Sequence, residues 1–242
     1  MVAPPIDTNP ANSDVSLSAV PIDARSVRQQ ALERLRRGIV QGVLAPGQHL
    51  REDRLALDLE ISRGPIREAL RQLEQEGLVT SFPHRGCFVA AISREEIEHV
   101  LLPVRLTLET YAVPRALAHL QPGDHAWLEA VALEMHRAAK LGERLRIAEL
   151  DVAFHQRLMT LAGEPHTLQL WSMISGRLQR FFLECSVLHP RLVDIAVEHD
   201  ELLAALRAGD VAELTRVLEV HIVSGPLALL RRADAVAADD AA

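Results

Sequence analysis

Aromatic residues make up 3% of the 242-residue chain, although hydrophobic residues reach 48%. Cores of this size must then be built from Leu, Val, Ile and Ala, which suits packed helices better than facing sheets. Cysteine is nearly absent. Cys87 and Cys185 lie far apart with no metal-type spacing, which excludes a disulfide framework and reads as two thiols of a reducing compartment. No apolar run approaches the roughly 20 residues of a membrane span, and Met1 to Val20 lacks a basic or an apolar leader region. The expectation is a cytoplasmic protein with no membrane partner. Net positive charge is also lacking, since the formal balance is −7. That argues against nucleic-acid binding only if charge is spread evenly. Residues 24–90 carry 11 Arg against 8 acids, a balance of +3, while the rest of the chain stands at −10, so the basic excess is local.

Residues 1–24 are rich in Pro, Ala, Ser, Asn and Asp with no periodic apolar face, and read as a disordered tail. From Ser26 to Val43, residues Val27, Leu32, Leu35, Ile39 and Val40 repeat at helical spacing. A second short helix is expected over Glu52 to Leu59, and a third from a Ser62 cap to Glu76, with Pro65 in its first turn and Gly77 closing it. Leu78 to Phe82 and Cys87 to Ala90 are β-prone runs about a Gly-containing turn, hence a hairpin. After Ala91 helical periodicity takes over, broken by Gly or Pro clusters into about six helices up to Arg232. Ala233 to Ala242 reads as an acidic frayed tail.

The fold expected is mainly α: a winged helix-turn-helix of three helices plus a β-hairpin over 25–91, then an all-α antiparallel bundle over 92–232. In such a module the third helix enters the major groove. Ile66, Ala69, Leu70 and Leu73 form its inner stripe, and Arg63, Arg67 and Arg71 fall off it. An arginine fork can bond guanine O6 and N7 or clamp a phosphate, whereas the plain alternative is a solvated basic face.

The run Leu44-Ala45-Pro46-Gly47 to Leu50, then Leu55-Ala56, Ile61-Ser62-Arg63-Gly64-Pro65-Ile66-Arg67-Glu68-Ala69-Leu70, Glu76-Gly77-Leu78-Val79 and Arg85-Gly86 resembles the DNA-binding domain of the GntR family. The resemblance implies a homodimer on a palindromic double-stranded DNA operator. It carries DNA contacts to Arg51, Arg54, Ser62, Arg63, Gly64, Arg67, His84, Arg85 and Gly86. Two positions depart from the family: Glu60 stands where Gly is usual and must take an awkward turn conformation, and Gly64 replaces Thr and loses a hydroxyl contact.

In the second half, Asp151 and His155 are four residues apart and share a helix face, where they can hold a common ligand or simply bond each other. His199 and His221 lie 11 residues either side of Asp210, so an antiparallel helix pair places them at one level near the interior. Singly, each could be satisfied by a carboxylate or carbonyl. Asp151, His155, His199 and His221 together resemble the metal ligands of the FCD domain, the helical effector domain of the FadR subgroup of GntR regulators. Val104-Arg105 with Glu109, the Glu198-His199 pair and the Gly209-Asp210 turn extend the likeness, and Glu164, where Asn is frequent, departs from it. Three imidazoles and a carboxylate suit a divalent ion, Zn, Ni or Mn, with positions open to water or an effector carboxylate. Arg105 borders the inner stripe and is the candidate for binding an acidic effector; the alternative is a surface pair with Glu109.

The function these readings imply is a transcription regulator, a repressor released from its operator by a small carboxylic acid bound at a metal-containing pocket. Two other classes compete. An Asp/His3 site can activate water in a hydrolase or hydratase, and a winged helix can serve as a protein-docking adaptor.

Overall fold

The Ser26 hydroxyl accepts from the Gln29 N–H at 3.2 Å and starts α1 (Val27–Val40) in the computed structural model, which describes residues 26–240. The tail expected over 1–24 lies outside the described residues. After α1 come β1 (His49–Leu50), α2 (Glu52–Asp58) and α3 (Arg63–Gln75). Between α2 and α3 the chain turns through Glu60 at φ +56°, the left-handed conformation that the sequence required of this non-glycine residue. Ser62 precedes α3 in extended geometry, but its side chain makes no capping hydrogen bond, contrary to expectation. The α3 C-terminus is secured instead by Gly77 at φ +67°: its N–H and that of Leu78 bond back to the carbonyls of Glu74 and Leu73, both at 2.9 Å.

Leu32, Leu35 and Ile39 of α1 bury against Ile66, Leu70 and Leu73 of α3, fixing which face of α3 is left outside. The hairpin strands β2 (Val79–Phe82) and β3 (Gly86–Val89) pair antiparallel with Thr80 opposite Phe88. The sheet order is β1-β3-β2, with Leu50 opposite Cys87. This is a winged helix-turn-helix with one strand more than the sequence pattern discloses, because two residues are too few to show a period.

The rest is helical. α4 (Arg94–Glu96), a π-helical turn Ile97–Leu101 and α5 (Leu102–His119) form one rod. α6 (Pro122–Leu141), α7 (Arg144–Leu161), α8 (Pro165–Ser186) and α9 (Val193–Ala208) follow. A last rod joins α10 (Val211–Glu219), a π-helical turn Val220–Ser224 and α11 (Gly225–Asp240). Leu128, Met135, Phe154, Leu158, Leu202 and Leu214 form the bundle centre. Each π turn ends two residues before a proline, Pro103 or Pro226, which has no N–H for the carbonyl four residues back; bonding five residues back absorbs the mismatch. The acidic tail expected from Ala233 is corrected over 233–240, where α11 continues and Arg94 Nη1 donates to Asp234 at 2.6 Å. Its alanines favour helix.

The two halves meet on α8. Arg177 Nε donates to the Gly77 carbonyl at 3.0 Å, and a Cβ at Gly77 would stand 1.7 Å from Arg177 Nη2. One residue earlier, a Cβ at Gly176 would reach Leu78 Cδ1 at 2.9 Å, so bare backbone lets the winged module seat there.

Candidate metal centre and nucleic-acid face

α7 carries Asp151 and His155 inward one turn apart, α9 carries His199, and the π turn Val220–Ser224 carries His221; all four are buried. The extra residue of a π turn advances the side chains beyond it, and His221 sits within that turn. The four groups each offer a ligand atom within 4.8 Å of the others. Asp151 Oδ1 lies 3.3 Å from His221 Nε2, 3.4 Å from His199 Nε2 and 3.9 Å from His155 Nε2. The His155 and His221 Nε2 atoms are 3.1 Å apart.

The outer edges of the rings decide what the inner edges can do. Each Nδ1 has its own acceptor: Glu109 Oε2 for His155 at 2.6 Å, Glu198 Oε2 for His221 at 2.7 Å, and the Ile195 carbonyl for His199 at 2.8 Å. Donation from Nδ1 orients each ring and turns every Nε2 atom toward the centre, the second-shell arrangement of metal-bound histidines. His199 Nε2 and Asp151 Oδ2 have no hydrogen-bond partner, although both are buried. An unpaired His199 Nε2 inside a converging N3O set, beside a carboxylate whose other oxygen is also unpaired, is what a cation would satisfy, so these residues fit a divalent metal.

Electrostatics agrees with that fit at His155 and Asp151 and opposes it at His221. Burial lowers the His155 pKa to about 4, keeping its imidazole neutral. Burial works against ionisation of Asp151, but the Arg105 charge, followed by the close His199 and His221 rings, overcomes it and holds its carboxyl well below the usual range. At Glu109 burial is likewise outweighed, by Arg105 and His155, and the pKa falls to about 2. For His221 burial is outweighed by Asp151 and Glu198, which raise it to about 9, so a metal ion binding there must displace the Nε2 proton.

Arg105 is 1% exposed, so the surface pairing with Glu109 is corrected: the pair exists, at 2.7 Å, but inside the bundle. Glu109 also accepts from Trp171 Nε1 at 3.0 Å. Arg105 Nη2 lies 3.6 Å from Asp151 Oδ2, its guanidinium stacks 4.7 Å from the Phe182 ring, and Nη1 and Nη2 make no hydrogen bond. Beside this network opens a cleft of about 310 Å³ walled by Phe182, Cys185, Ile195 and Leu229, with Asp151 and His221 on its floor. Arg105 does not line it; Arg232 does. Burial pushes the Cys185 thiol up to about 12, so it is a neutral wall group. Glu164 is spent on Arg115, 3.1 Å away.

Glu109, Glu198 and the Ile195 carbonyl were not singled out as ring-orienting groups from the sequence. Glu198 adjoins His199 in the chain but serves His221, 23 residues on, and no spacing rule announces that.

On the winged module, Arg51, Arg54, Ser62, Arg63, Gly64 and Arg67 are exposed, as are His84, Arg85 and Gly86 at the hairpin tip. Arg85 lies 5.4 Å from the Phe82 ring centroid and 5.9 Å from that of Phe88, which packs on His49. The arginines of α2 and α3 are mostly paired: Arg51 with Asp53, Arg54 with Asp58, Arg67 with Glu52 and Arg71 with Glu68. Arg63 has no carboxylate partner among the described residues.

Comparison with known proteins gives these parts a context. Residues 27–89 match the bacterial regulatory proteins of the gntR family, and residues 100–224 match the FCD domain. A Streptomyces ambofaciens protein described as an uncharacterized HTH-type transcriptional regulator in an unstable DNA locus is 30% identical over 205 residues, covering 83% of this chain and 84% of its own. The HTH-type transcriptional repressor GlaR of Escherichia coli K12 is 28% identical over 210 residues, 82% of this chain and 93% of its own. Among solved structures, the E. coli protein McbR/YncC superposes with a TM-score of 0.73 at 22% identity, covering 86% of this chain and 99% of its own, a likeness of fold.

Proposed function

Because the chain belongs to the FCD-domain transcriptional regulators of the gntR family, we propose that it binds a palindromic operator as a homodimer and leaves it when a small carboxylic acid occupies the cleft beside a metal centre. The observation that carries this reading is the convergence of Asp151 Oδ1 and three Nε2 atoms whose rings are each braced through Nδ1. Asp151, His155, His199 and His221 are the proposed ligands of a divalent ion, Zn, Ni or Mn. Such an ion supplies a positive charge against which an effector carboxylate can rest. The unpaired Nη1 and Nη2 groups of Arg105 add donors behind Asp151, and the apolar walls exclude water from the acid's hydrocarbon part.

The proposed DNA contacts are Arg51, Arg54, Ser62, Arg63, Gly64 and Arg67, with His84, Arg85 and Gly86 at the hairpin tip, all exposed. Release follows through α8, which walls the cleft with Phe182 and Cys185 and holds the winged module with Gly176 and Arg177. An acid alters operator occupancy only by preferring one placement of α8, typically by about 1–3 kcal/mol of coupling. The metalloenzyme reading of the same ligands has no support, since the relatives above are transcriptional regulators. No helix among the described residues is long and apolar enough to cross a membrane.

A thermal-shift screen of small carboxylic acids on metal-loaded protein tests the proposal. A stabilising acid should also weaken duplex binding in a gel shift, and chelation should abolish both effects. Acids that neither stabilise the protein nor alter duplex binding would contradict effector control.

A further inference from the structure

Four arginines on or next to α2 and α3 pair with carboxylates, but one pair differs in kind. Arg51–Asp53, Arg54–Asp58 and Arg71–Glu68 join residues two to four apart within one segment, so each can swing away as a unit. Glu52 and Arg67 are 15 residues apart and tie the first residue of α2 to the outer face of α3. The contact is forked: Arg67 Nε lies 3.0 and 3.2 Å from the two Glu52 carboxylate oxygens, and Nη2 lies 2.8 Å from Oε2.

A guanidinium has two usable edges. Glu52 occupies the Nε/Nη2 edge, which leaves the other end, Nη1 and the second N–H of Nη2, without a hydrogen-bond partner among the described residues. That end has the spacing of guanine O6 and N7 in the major groove. An arginine needed only as a phosphate counter-charge would lose by being neutralised and held, and the nearby carboxylate would repel phosphate. One that must present an edge in a fixed direction gains, because its rotamer freedom is spent before DNA arrives. Arg63, with no carboxylate partner among the described residues, suits the other task.

We infer that Glu52 is a specificity-determining positioning residue, bracing Arg67 so that its Nη1/Nη2 end reads one guanine in each operator half-site. This rests on the reading of α3 as the DNA-reading helix. The Glu52 carboxyl is held below its usual range first by the Arg67 hydrogen bond, against burial, so the brace is charged at neutral pH.

The test is selection of duplexes from a randomised library by the full-length protein and by E52Q, E52A and R67A, with thermal unfolding to confirm folding. The wild type should enrich a guanine that R67A ceases to prefer. E52A should reduce that preference about tenfold while leaving the other positions of the motif, with E52Q between. E52A should also bind a shuffled duplex more tightly, because an acid has left the DNA face. Unchanged preference at that position in E52A overturns the inference, and so does a uniform loss of binding with lowered thermal stability, which would make Glu52 a fold brace. If R67A selects the wild-type motif, or the wild type selects none, the DNA-reading assignment of α3 fails as well.

Discussion

Arg105 shows most directly how one buried residue organises the second half of the molecule. Its guanidinium is in contact with both Glu109 and Asp151, and Glu109 in turn orients His155. Replacing it by Met removes one partner from a buried ionic network, which costs about 3–5 kcal/mol. Urea denaturation of chelator-treated Arg105→Met at neutral pH should show that loss; a change under about 1 kcal/mol would mean the network is solvated. At this scale the sequence was partly legible. The i,i+4 relation of Asp151 and His155 and the mirrored placement of His199 and His221 about Asp210 were readable because helical geometry is periodic. The brace on each Nδ1 was not, since Glu109 meets His155 across 46 residues and only tertiary packing sets that meeting. The pairing of Arg67 with Glu52 escaped for the same reason.

Among the elements, α8 has the clearest double role, touching the cleft with its C-terminal end and the winged module with its middle. Gly77→Ala places a Cβ where Arg177 Nη2 now lies and forces φ +67° on a residue that resists it, so it should destabilise by at least about 1 kcal/mol. Arg177→Ala is the milder probe. It should leave metal content and acid-induced stabilisation intact while shrinking the acid's effect on duplex binding, measured by fluorescence anisotropy with and without acid; an undiminished effect would remove α8 from the signal path. The long elements were legible, α3 above all, because Ile66, Ala69, Leu70 and Leu73 keep a clean stripe. The π turns and β1 were not. A π turn adds one residue without changing which residue types are used, and the only trace is a proline two residues on. The helical course of 233–240 was missed because acidic, alanine-rich segments read equally as tail or helix until a partner such as Arg94 is placed nearby.

For the molecule as a whole, charge and architecture divide the labour. Residues 24–90 carry a positive balance on a chain of net charge −7, and Arg51, Arg54, Arg67 and Arg71 are held in carboxylate pairs, so the proposed operator binding would rely on a few oriented groups more than on bulk attraction. The bundle encloses its polar cluster in apolar layers, which is what makes the unpaired atoms at its centre consequential. Whether that centre holds a cation decides between a metal-gated regulator and a winged helix on an inert helical body. Elemental analysis of the purified full-length protein, beside a folded His199→Ala/His221→Ala variant, measures this directly. The account predicts about one divalent transition-metal ion per chain in the first and none in the second. A wild-type protein that binds duplex yet carries no more metal than the variant would contradict it.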